Sequence, residues 1–154
     1  FPVAGTFAAG RACIAWMLER LAAIGPGEAD LVLLPEYATA PGAASTALIT
    51  ELAAGPGETL LTACRRLAGR AHCLVALGTV AGEPAGLYNR TLLIGPDGEA
   101  LARYDKTHLP DAEGVEIRPG DEEATGEAPE APAEDDAPFA PYGTTTTKGG
   151  RNAR

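Results

Sequence analysis

Lysine is nearly absent from this chain: only Lys106 and Lys148 occur in 154 residues, and every other basic side chain is arginine. Cysteine is scarce too. Cys13, Cys64 and Cys73 are odd in number and form no C-x-x-C pair, which argues against a disulfide framework or a zinc site. A formal net charge of −9 leaves no basic face for nucleic acid and no polybasic membrane anchor. No apolar run reaches the length of a transmembrane helix. The N-terminus lacks a charged region followed by an apolar core, so no signal peptide is read and a cytoplasmic protein is the default. The first residue is Phe1 rather than Met, which is the expectation for a start that is missing or processed.

What is present suits one domain with a real core. Val3 to Phe7 is a short strand candidate. From Arg11, Ile14, Met17, Leu18 and Leu21 recur at helical spacing until Gly25-Pro26-Gly27 ends the pattern. Leu31 to Glu36 follows, an apolar run that suits a central strand buried on both faces. Tyr37 to Gly42 is a loop. A helix is predicted over Ala44–Ala54, stopped by Gly55-Pro56-Gly57, and another over Glu58–Ala71 with an apolar stripe of Leu60, Leu61, Cys64, Leu67 and Ala68. Cys73–Val80, Leu87–Ile94 and Glu99–His108 read as strands. The first two are separated by a turn over Gly82–Gly86, and Gly95-Pro96-Asp97-Gly98 is the strongest turn signal in the chain. The order is (β)-α-β-α-α-β-β-β, an α/β protein.

The composition breaks after Ile117. Residues 118–154 contain no Ile, Leu, Val, Met, Trp or Cys, and 121–136 hold eight acids and no base. Such a segment cannot bury enough apolar area to offset its ordering entropy. The predicted organisation is a folded part over 1–122 and a low-complexity, disordered acidic tail over 123–154.

Two residues carry the candidate chemistry. Pro35 cannot donate to a sheet ladder, so the strand ends there and delivers Glu36 where open α/β sheets place their chemistry. Taken alone, Glu36 reads equally as the first acid of a solvent loop. Lys106 is the only lysine in the foldable part. Strand alternation puts it on one face with Tyr104 and His108. Its ammonium is a compact charge whose pKa responds to burial, and by itself it also fits a snorkelling surface lysine. Asn89-Arg90-Thr91 matches a glycosylation sequon, but inside a predicted strand it reads as chance. His72 reads as a helix-end residue.

Taken together, these stretches resemble the carbon–nitrogen hydrolase (nitrilase) superfamily. A hydrophobic strand ending in Pro-Glu (Leu31–Glu36) is followed by a hairpin with a Pro-Asp-Gly turn (Asn89–Gly98). An aromatic-x-Lys-x-His-Leu segment (Tyr104–Leu109) comes next, and then Arg118-Pro119-Gly120-Asp121. The resemblance covers about residues 11–122. It implies a four-layer α-β-β-α sandwich, here incomplete, and a Glu-Lys-Cys triad needing no metal or organic cofactor. By resemblance Glu36 is the general base and Lys106 the oxyanion stabiliser. Glu113, with Glu116 as fallback, matches a further family glutamate, and each also fits a solvated loop acid. Substrates in the family are small amides, carbamoyl compounds or nitriles, and its members usually form homo-oligomers.

The sequence departs from that pattern at the nucleophile. The family's cysteine follows the lysine, whereas this chain has none after Cys73. Cys13, Cys64 and Cys73 fall on apolar faces and read as inert core thiols. The expectation is a truncated member, inactive by itself. The rival is a non-catalytic truncated member that binds a partner through unpaired strand edges or its acidic tail, half a sandwich also leaving apolar sheet surface exposed for association.

Overall fold

The computed structural model describes residues 5–110, 117–121 and 125–126. The expectations for Glu113 and Glu116, for Val3 and for most of the acidic tail lie outside these residues.

Helix α1 spans Phe7–Ala23, and Thr6 caps it by accepting from the Ala9 N–H at 3.3 Å. The predicted strand through Phe7 is therefore replaced by helix from that residue onward. A threonine cap followed by small, helix-tolerant residues favours the turn. Gly10, Cys13, Ile14, Met17 and Leu21 form the buried stripe. The far end of α1 is closed by Arg70, whose guanidinium donates to the carbonyls of Leu21 and Ile24 at 2.9 and 3.0 Å, the favoured place for a cation on a helix.

Strand β1 is Leu31–Leu33, shorter than predicted. Helix α2 (Thr46–Leu52) starts at the cap Ser45. Gly55-Pro56-Gly57 does not stop the helical path. Ala53–Gly57 forms a π-helical turn that runs straight into α3, Glu58–Ala71. The wider turn accommodates the N–H that Pro56 lacks. Gly57 is needed for contact, because a Cβ there would lie 2.6 Å from the Thr39 carbonyl oxygen. His72 closes α3 in the left-handed region (φ 53), in agreement with its reading as a helix-end residue.

Strands β2 (Leu74–Glu83), β3 (Gly86–Ile94) and β4 (Ala100–Asp105) form an antiparallel meander. The turn at Gly95–Gly98 is closed by Gly95 N–H donating to the Glu99 carbonyl at 2.8 Å. Strand β1 joins β2 in parallel at one end of the sheet. Strand β5 (Ile117–Arg118) pairs with the start of β3. Strand β6 (Thr125–Gly126) pairs with β4, although composition assigned those two residues to the tail. A ladder needs backbone groups, not apolar side chains.

The chain is thus a mixed α/β structure with helices packed on one face of the sheet. Ile14, Met17, Leu60, Cys64, Leu67, Val75, Leu77 and Ile94 form the main core there. Register places Ala76, Leu93 and Ala102 in one row on the opposite face, and Gly78, Thr91 and Tyr104 in the next. Strand β1 was expected to be central and buried on both faces, but it is neither. Leu31 is 47% exposed and Leu33 72%, because β1 ends the strand path and the helices cover only its other side.

Candidate active site

Glu36 reaches the open sheet face by a short arch. Leu34 N–H donates to the Ala76 carbonyl and Ala38 N–H to the Gly78 carbonyl, both at 2.9 Å, so the residues between them rise over β2. Only glycine permits this. A Cβ on Gly78 would lie 2.6 Å from the Pro35 oxygen and 2.7 Å from the Glu36 Cα. Tyr37 adopts the left-handed conformation at φ 57, which costs a non-glycine residue about 1–2 kcal/mol. The far side of the arch is pinned by Thr39, whose hydroxyl meets that of Thr79 at 2.9 Å and accepts from Val80 N–H at 3.1 Å. Gly78→Ala is expected to cost about 1–3 kcal/mol by overpacking and to move Glu36 off its partners. A urea melt indistinguishable from the parent's would show that the arch yields freely.

Lys106 lies one residue beyond β4, not within it. Its N–H donates to the Asn89 carbonyl at 2.8 Å, and its carbonyl accepts from Gly120 N–H at 3.0 Å. The Pro-Gly-Asp element thereby holds the lysine backbone from the other side. A Cβ on Gly120 would collide with the Cβ and carbonyl oxygen of Asp105.

Across 70 residues of sequence, Lys106 Nζ donates to Glu36 Oε1 at 2.8 Å. The same oxygen accepts from Asn89 Nδ2 at 2.7 Å. The three side chains line a cleft of about 500 Å³ together with Tyr104 and His108. Tyr104, Lys106 and His108 do meet there, but not by strand alternation, since Lys106 and His108 lie beyond the end of β4. The hydrogen bond from Lys106, then that from Asn89, hold the Glu36 carboxyl below the usual carboxylate range. Desolvation acts in the opposite direction. The Glu36 side chain is 55% exposed, so hydrogen bonding outweighs burial.

The cysteines sit elsewhere. Cys13, Cys64 and Cys73 are buried and none is in a disulfide, and none lines the cleft. Cys64 and Cys73 belong to the core under the helices, where burial pushes the Cys64 thiol up to about 12. Among the described residues no group of three or more His, Cys, Asp and Glu side chains could hold a metal ion. No helix among them is long and apolar enough to cross a membrane.

A carbon–nitrogen hydrolase family model matches residues 2–151. The chain belongs to the carbon–nitrogen hydrolase family. Its fold is similar to that of a CN-hydrolase superfamily protein from Xanthomonas campestris, crystallised with an arsenic adduct in the active site. That match has 27% identity and a TM-score of 0.54, covering 78% of this chain and 43% of the other. An amidase from Nesterenkonia sp. matches at 20% identity and a TM-score of 0.58, covering 73% of this chain and 43% of the other. A glutamine-dependent NAD+ synthetase from Acinetobacter baumannii matches at 19% identity and a TM-score of 0.56, covering 76% and 22%. This carbon–nitrogen hydrolase chain spans less than half the length of these three structures. No curated protein matches it.

Sequence reasoning missed Asn89 and Gly78 as parts of this site. An amide between Tyr88 and Arg90 in a strand that becomes apolar three residues later was the available signal for Asn89. Nothing local marked Gly78, whose role depends on a chain segment about forty residues away.

The site makes an acid-stability prediction. Glu36 and Asp105 both have lowered pKa values, Asp105 chiefly through its hydrogen bond from Arg90. A carboxyl depressed on folding stabilises fully above its unfolded pKa. It loses that contribution as pH falls through its folded value. Urea midpoints should therefore drop between about pH 5 and about pH 2, and Asp105→Asn should shrink that drop. An equal drop in parent and variant would exclude Asp105 as a source.

Proposed function

We propose that this chain supplies the carboxylate and ammonium of a carbon–nitrogen hydrolase site. The substrate class is small amides, carbamoyl compounds or nitriles. Glu36 acts as the general base and Lys106 as the oxyanion stabiliser, while the nucleophilic thiol comes from outside these 154 residues. The observation that carries the reading is the 2.8 Å contact between Lys106 Nζ and Glu36 Oε1 in a cleft. Supporting it, the three cysteines of the chain are buried away from that cleft.

For an amide, Glu36 takes the thiol proton as sulfur attacks the carbonyl carbon. An ammonium with three N–H donors can hold Glu36 and meet the developing oxyanion together. The C–N bond then breaks, the proton passes from Glu36 to the departing nitrogen, and a thioester remains. Water, deprotonated by Glu36, attacks the thioester, releasing the acid and returning the proton to sulfur. A lowered pKa keeps Glu36 ionised, as a base must be, and excluding water from the cleft would raise its basicity.

In this reading, residues 1–122 with β6 belong to a partial hydrolase domain, and the rest of 123–154 stands apart from it. Three cysteines outside any disulfide suit the reducing cytoplasm. Glu113 remains the proposed second glutamate.

The test is a chimera in which residues 5–121 replace the matching part of the Xanthomonas protein, compared with the 154-residue chain alone. The chimera is expected to release ammonia from small amides, and the chain alone to release none. Turnover by the chain alone that Glu36→Ala abolishes would place the nucleophile on this chain after all. A folded chimera that hydrolyses no amide, carbamoyl compound or nitrile would sink the reading.

A second reading has its own observation. Leu31 and Leu33 are large, apolar and exposed on the open face, which suits association with a second copy or a partner. A clean monomer on sizing chromatography would count against it.

A further inference from the structure

Among the groups around the cleft, Asn89 makes contacts to both members of the proposed pair. It is 4% exposed, a neutral amide on the open face of β3. Its side chain donates to Glu36 Oε1 at 2.7 Å, while its backbone carbonyl accepts the Lys106 N–H at 2.8 Å. One residue of the sheet centre thus grips the carboxylate by its side chain and the lysine by its main chain. We propose that Asn89 is the positioning residue of the site: it sets Glu36 against Lys106 and orients the carboxylate so that Oε2 is the proton-accepting oxygen. This rests on the reading of Glu36 as general base.

Three physical points support it. The first is crowding of one oxygen. Oε1 accepts from both Lys106 and Asn89, whereas among the described residues Oε2 accepts no hydrogen bond. A carboxylate so divided has one oxygen committed to position and one with its lone pairs available. The second is rigidity. Asn89 pairs with Val80 on β2 and with Lys106 beyond β4, so its side chain starts from a backbone held on both flanks. Glu36, by contrast, stands on an arch and is more than half exposed. A buried donor on a ladder restrains it at small entropic cost. The third is charge type. An amide donates without adding charge, so it fixes the carboxylate while leaving Lys106 as its only cationic partner in these hydrogen bonds. Aspartate at the same place would repel Glu36, and leucine would fill the volume without donating.

The experiment is a pH titration of the Glu36 side-chain carboxyl by carbon-detected NMR in the full 154-residue chain. It is run on the parent, Asn89→Leu, Asn89→Asp and Asn89→Ser. With Asn89→Leu the Glu36 pKa is expected to rise by about one unit, since a hydrogen bond to the charged form is lost. Asn89→Asp should raise it further, and the Lys106 amide resonance should change least in Asn89→Ser, which keeps strand geometry but cannot reach Glu36. If Asn89→Leu fails to fold, Asn89→Ser alone decides, with the same upward direction expected. A purely structural role would lower stability yet leave the Glu36 titration in place, and that result overturns the proposal. The titration needs no turnover. An inactive chimera therefore counts against the hydrolase reading, whereas an unmoved Glu36 counts against the role of Asn89.

Discussion

Glu36→Gln in the chimera is expected to lower kcat for amide hydrolysis by about 10³-fold, within the range that a positioned general base contributes. The substitution is nearly isosteric. Its amide oxygen can still accept from Lys106 and Asn89, which meet Oε1 at 2.8 and 2.7 Å, so the arch should hold its place. What disappears is the ability to take a proton. Lys106→Met removes the ammonium and should cost on the order of 10²–10³-fold in kcat. It has a further signature. Lys106 is the first cause of the lowered Glu36 pKa, so the acid limb of the kcat/KM profile should move to higher pH in Lys106→Met. Steady-state ammonia release across pH checks both. A Glu36→Gln chimera as active as its parent would remove Glu36 from the chemistry, whatever its contacts.

Arg90→Met should be the most destabilising single change in the sheet, at about 3 kcal/mol. Arg90 Nε donates to Asp105 Oδ1 at 2.6 Å and its Nη2 to Asp105 Oδ2 at 2.8 Å, while Nη2 also reaches Glu83 Oε1 at 2.6 Å. One guanidinium in the middle of β3 therefore ties that strand to the ends of β2 and β4, with the fork geometry that a carboxylate matches. The Arg90 side chain is 11% exposed and that of Asp105 16%. Removing the cation leaves a mostly buried carboxylate without its partner, and this orphaned charge dominates the cost. Asp105 also precedes Lys106, so the same variant should loosen the site. The double variant Arg90→Met/Asp105→Leu should recover much of the loss, because neither charge is then stranded. Urea denaturation of the three proteins decides it. A single-variant loss below about 1 kcal/mol would mean that the pair is solvated like a surface bridge.

These predictions draw on residues of unequal legibility. Helix α3 was readable from Glu58 to Ala71 because its apolar stripe repeats at helical spacing and a left-handed residue ends it. The Gly95–Gly98 turn was readable because its geometry is local: Gly98 takes φ 81, and Asp97 Oδ1 accepts from Glu99 N–H at 2.9 Å. Gly55-Pro56-Gly57 misled, since breaker residues indicate that a regular α-helix is interrupted but not whether the path continues through a π turn. The burial of β1 misled for another reason. An apolar run reports what its side chains would gain from burial, not which faces the rest of the chain covers.

By itself the sequence determined the family, through motifs whose order and spacing are properties of one dimension. It also determined the periodic elements, and that Glu36 and Lys106 were the residues to watch. Leu31–Glu36 was legible as a strand that ends on a carboxylate. Only the tertiary structure decided that Glu36 meets Lys106 and Asn89 on a single oxygen, that Gly78 makes room for the arch, and that none of the three cysteines lines the cleft. It also decided the direction in which the Glu36 pKa moves. The physical reason is common to all four. Each depends on groups that are far apart along the chain and brought within a few ångströms by strand register, and register is set by the whole sheet rather than by any one segment.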